Sequence, residues 1–85
     1  MARNNLAKDG LRNISGKKMA ELRKSMKPKM SQRALADRLQ LSGLDVGKNV
    51  IQQIESGERF VSDIELKAIA VVFGVPADVL LGEEL

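Results

Sequence analysis

The chain contains no cysteine and no histidine. Without thiols it can form neither disulfides nor thiolate metal sites, and without imidazole it lacks the commonest neutral metal ligand and general base. The acids are dispersed, no Ser/His or Cys/His set exists, and Gly10, Gly16, Gly43 and Gly47 do not form a phosphate-cradling loop. These absences argue against an enzyme, a metal site or a cofactor. Long apolar runs are missing as well. None approaches the roughly 18 residues that a membrane helix requires, and Met1 to Ile14 is too polar for a signal peptide. The expectation is a soluble cytoplasmic protein with no membrane partner. No stretch alternates apolar and polar residues as a half-buried strand would, and the β-branched Val71-Val72 pair lies inside a helical pattern. At 85 residues there is room for one domain, for which a helical core is the most economical solution.

What the chain does have is charge, unevenly placed. The formal net charge is +3, but residues 1–33 carry ten basic side chains against Asp9 and Glu21, a balance of +8, while the remainder sums to −5. Any one of these lysines is accounted for by solubility. Their clustering orients the amino-terminal side toward a polyanion.

The punctuation predicts an all-α domain of five helices over residues 14–85, preceded by a flexible basic arm at residues 1–13. Ile14 and Ser15 offer a staple and an N-cap for a first helix running to about Met26, with Met19, Leu22 and Met26 on its inner side. Pro28 ends it. Ser31 caps a second helix whose inner face is Leu35, Ala36 and Leu39, with Met30 as a staple to Leu35. The third helix ends at Gly57. Ser62 to Glu65 form a capping box opening a fourth helix through Phe73, apolar around most of its circumference and expected to be the buried centre. Gly74 closes it. Pro76 begins a short fifth helix with Val79 and Leu80, and Gly82 stops that.

The third helix carries the chemistry. At roughly 100° per residue, Lys48, Asn49, Gln52 and Gln53 fall within an arc of about 140°. Val50, Ile51 and Ile54 occupy the opposite arc. A lysine suits the acceptors of guanine, and asparagine or glutamine can pair bidentately with adenine. These four side chains are therefore the candidates for base contact in a DNA major groove.

From about Ile14 to Leu81 the chain resembles the phage repressor/Cro class of helix-turn-helix domain, the xenobiotic-response-element (XRE) type of bacterial regulator. The pieces are Glu21-Leu-Arg-Lys24, Ser31-Gln32 with Leu35-Ala36, Ile51-Gln-Gln-Ile-Glu-Ser-Gly57, Leu66-Lys-Ala-Ile-Ala70 and Phe73-Gly-Val75. Their order is more specific than any one of them. The resemblance implies a five-helix, lambda repressor-like bundle whose second helix crosses the DNA backbone and whose third enters the major groove. It gives Gln32 a backbone phosphate, helped by Arg33 and the nearby Lys27 and Lys29, and it gives Arg59 a second phosphate on the far side of the groove. It joins Arg23 and Glu55 in a structural ion pair. The function implied is a sequence-specific, double-stranded DNA-binding transcriptional regulator, repressor-like and of bacterial or phage type.

Two departures bear on docking. Where the family has a tight turn containing glycine, this chain has Gln40 followed by Leu-Ser-Gly-Leu-Asp-Val-Gly47. Asp45 or Gly47 would cap the third helix, and Leu41, Leu44 and Val46 are expected to pin the longer connection to the bundle. The Lys27-Pro-Lys29 segment also lengthens the link before the second helix.

A homodimer on half-sites about 34 Å apart is expected for such a class, with Val79, Leu80, Leu81 and Leu85 as its candidate surface, the alternative being that these residues close the core over the fourth helix. The rival with the same fold is a protein-interaction module, such as an antitoxin that binds a toxin as protein partner and autoregulates its operon. A nonspecific nucleic-acid binder, relying on the basic first third, is the other alternative.

Overall fold

The computed structural model describes residues 11–82. The expectations placed on residues 1–10 of the arm and on Leu85 lie outside the described residues. The helices α1 (Gly16–Ser25), α2 (Gln32–Leu41), α3 (Lys48–Glu55), α4 (Asp63–Phe73) and α5 (Ala77–Leu80) follow one another with no strand among the described residues. The protein is all-α, with the five helices that the sequence pattern predicts.

Local chemistry fixes most helix ends. The Ser31 hydroxyl accepts the backbone N–H of Ala34, and Ser62 and Glu65 complete a reciprocal capping box, each satisfying amides that the first turn leaves without a partner. The third helix closes in a Schellman turn. Gly57 N–H donates to Ile54 and Glu58 N–H to Gln53, with Gly57 in the left-handed region at φ 84°, where a side chain would be strained.

The start of α1 departs from the sequence reading. Ser15 occupies the cap position but its side chain accepts no capping bond, and Ile14 is exposed and staples nothing. Asn13 does the work instead. Its Oδ1 accepts from the backbone N–H groups of Ser15 and Gly16 at 3.0 and 2.7 Å, while Nδ2 donates to the carbonyls of Ile54 and Arg59 at 3.1 and 2.7 Å. A residue assigned to the arm is thus a tie between the entry to α1 and the exit from α3. Its neighbour is held too, since Arg12 N–H donates to Gly57 and the Arg12 guanidinium lies 5.6 Å from the centre of the Phe60 ring.

The core is built from Met19 of α1, Leu35 and Leu39 of α2, Ile51 and Ile54 of α3, Ile69 of α4 and Leu80 of α5, all essentially inaccessible. Helix α3 packs on both α1 and α2. The approach to α1 is close enough that a Cβ at Gly16 would overlap the Ile54 carbonyl oxygen.

Three expectations about packing need correcting. Helix α4 is not the buried centre. Only Ile69 and Ala70 of it are buried, and Ile64 and Val71 are each 69% exposed. A domain of this size has too few helices to cover every side of an apolar one. Leu80 is fully buried rather than part of an exposed surface, leaving Leu81 partly exposed and Val79 half-buried. Leu41 belongs to the last turn of α2 and is 89% exposed, so it pins nothing. The connection is held by Val46, which enters the core, by half-buried Leu44, and by Gln40, whose Nε2 donates to the Val46 carbonyl at 2.6 Å.

Candidate nucleic-acid interface

The outer face of α3 is assembled by the division of its own sequence. Ile51 and Ile54 are buried and Val50 is half-buried, whereas Lys48, Asn49, Gln52 and Gln53 are exposed together. The core attachment of the aliphatic side therefore decides where the amides point. The helix begins at Lys48 with Gly47 in the cap position and no side-chain cap, which resolves the choice between Asp45 and Gly47. Asn49, Gln52 and Gln53 line a shallow depression with Ser56 and Glu58.

Behind this face lies a buried polar clasp. Arg23 presents Nε and Nη2 to the two Glu55 oxygens, both at 2.8 Å, and Nη1 donates to the Met30 carbonyl at 3.0 Å. The charged groups are about nine-tenths buried, with side-chain exposures of 11% and 8%. Bidentate geometry of this kind joins direction to charge. The hydrogen bond with Glu55 raises the Arg23 pKa above its ordinary value against the opposing effect of burial, and the Glu55 charge raises it further. A basic group whose pKa rises on folding contributes stability at every pH below its unfolded value, so the clasp is fully engaged through the neutral range.

Glu55 has a third partner. Gln32, in the first turn of α2, donates from Nε2 to Glu55 Oε1 at 3.0 Å. A carboxylate only accepts, so this bond fixes which end of the Gln32 amide faces inward. One N–H and the carbonyl oxygen of that amide stay available. Sequence reasoning assigned Gln32 to phosphate alone and missed this tie, although its position beside the Arg23–Glu55 pair is what the register of α2 on α3 produces.

The other residues read as phosphate partners are placed differently from one another. Arg33 is exposed on α2, as are Lys27 and Lys29 in the preceding link. Arg59 Nη2 pairs with Glu65 Oε2 at 3.1 Å, and its Nε is buried without a hydrogen-bond partner. Glu65 is therefore shared between its capping box and Arg59, which offsets part of the Arg59 charge. The structure brings Lys48, Asn49, Gln52 and Gln53 to one face and Arg23, Glu55 and Gln32 to one cluster. Asn13 and Gly16, which set the entry angle of α1 against α3, carried no signal in the sequence beyond an asparagine two residues before a serine.

Two helices joined by a connection, the second packed on the first with its polar side outward, are the arrangement of a helix-turn-helix domain. A family model described as helix-turn-helix matches residues 19–80, and the chain belongs to that family, the XRE/Cro type of DNA-binding regulator. No curated protein and no solved structure matches the chain. Among the described residues, no helix is long and apolar enough to cross a membrane.

Proposed function

We propose that the protein is a sequence-specific regulator of transcription, repressor-like and of bacterial or phage type, that reads a half-site of double-stranded DNA with α3. The observation that carries this reading is the exposure of Lys48, Asn49, Gln52 and Gln53 on one face of a helix whose other face is locked in the core. The amides pair with base edges in the major groove, and Lys48 reaches guanine acceptors at the leading end of the helix. Phosphates position the domain. Gln32 meets one with the N–H left free by Glu55, Arg33 adds charge beside it, and Arg59 approaches the strand on the other side of the groove through the part of its guanidinium not engaged by Glu65. Occupancy of the site by a symmetric dimer, with half-sites about 34 Å apart, then blocks access of the transcription machinery.

Selection of duplexes from a random pool tests the reading, with enrichment of a two-fold symmetric consensus as the expected result. On that consensus Gln52→Ala should lose about 1–3 kcal/mol of binding free energy and lose little on random DNA. Equal losses on both, measured by fluorescence anisotropy, would remove the base-reading role.

A further inference from the structure

Glu58 is the one acidic side chain lining the depression formed by Asn49, Gln52, Gln53 and Ser56. Its backbone is fixed by the Schellman turn, with Glu58 N–H on the Gln53 carbonyl at 3.0 Å and Gly57 buried beneath it. Its side chain is exposed and takes no hydrogen bond or ion pair among the described residues, in contrast with Glu55 and Glu65, both of which are engaged by arginines. A carboxylate whose backbone is anchored on a surface that meets a polyanion is repelled by every phosphate it approaches. The groups on duplex DNA that attract it are the exocyclic amines of the bases. Adenine presents its amine beside the N7 acceptor, which opposes a carboxylate, whereas cytosine presents its N4 amine without an acceptor on the same base in the major groove.

We infer that Glu58, which lies outside the recognition helix, is a specificity-determining residue that accepts a hydrogen bond from the N4 amine of a cytosine at the edge of the half-site read by α3. The inference rests on the base-reading function proposed above. Asn49, Gln52 and Gln53 supply donors and acceptors together, so they tolerate several bases, while Glu58 supplies acceptors alone and penalises any base that presents none but acceptors.

The test is duplex selection from a random pool with the wild-type protein, Glu58→Gln and Glu58→Ala, each checked for an unchanged thermal melt. The wild type should enrich a C·G pair at one peripheral position of each half-site. Glu58→Ala should lose that preference, a drop of roughly tenfold in discrimination against the other bases, with the remaining positions unchanged. Glu58→Gln should move the preference toward adenine, which an amide can pair in both directions. An identical consensus from all three proteins, with both variants binding operator and random DNA uniformly more tightly, would overturn the inference and leave Glu58 as a source of repulsion only. Absence of any consensus for the wild type would overturn the base-reading function itself, and this inference with it.

Discussion

The two ends of α3 are held in unlike ways. At the trailing end, the Glu55 carboxylate is gripped by Arg23 and Gln32, the Ile54 carbonyl receives Asn13, and Arg12 reaches Gly57. These bonds are buried or half-buried and two of them carry formal charge. At the leading end, Gly47 offers no side chain to cap the helix, and the preceding connection is tethered by neutral bonds alone, from Gln40 to the Val46 carbonyl and from Leu44 N–H to the Leu39 carbonyl. Charge-assisted bonds shielded from water are about twice as strong as neutral ones. The helix is therefore clamped where it leaves the domain's reading face and only guided where it enters it. That places the direction of α3 under the control of α1, while the connection from α2 adjusts its tip.

The sharpest way to break this contrast is Glu55→Ala. It strands the Arg23 guanidinium in the core and frees Gln32, so a loss of roughly 3–5 kcal/mol of stability is expected. Thermal denaturation reads it, and an unaltered melting temperature would show that the trailing clamp is not one. Asn13→Ala should cost less, about 1–2 kcal/mol, because it removes a cap and two cross-helix donors but no charge. The midpoint of urea unfolding measures that, and a shift no larger than that of a surface substitution would return Asn13 to the arm. Gln40→Ala is the mildest, at about 1 kcal/mol or below. Its signature is local: amide hydrogen exchange at Val50 and Ile51 should accelerate while that at Ser56 and Gly57 stays as it was. Equal acceleration at both ends would erase the asymmetry.

How much of this was legible in the sequence differs along the same helix. The aliphatic and amide faces of α3 follow from residue spacing, as do the caps at Ser31 and Ser62, because both depend on neighbours only three or four positions away. The errors arose where distant chain segments decide. Counting apolar residues around α4 marked it as central, yet Ile64 and Val71 face outward since no other helix comes to cover them. Spacing alone left Leu80 open between a dimer surface and the core, and its burial is decided by the two helices that α5 meets, α1 and α4. Asn13 sits in the arm and Gly16 at the first turn of α1, and their roles exist only once Ile54 is brought alongside from far along the chain. Glu58 was invisible for a related reason: a charge beyond a helix end looks like any solvated residue until the turn at Gly57 aims it.

The clamp at Glu55 also bears on how proteins of this design diverge. The outward positions 48, 49, 52, 53 and 58 contribute nothing to the core, so exchanging them leaves the scaffold's folding intact, within about half a kcal/mol each. New target preferences are then open to descent by single steps, each intermediate still folded. Positions 23, 32 and 55 meet on one carboxylate, so a change at any of them strands a partner, and these three answer to the scaffold where the outward five answer to the target.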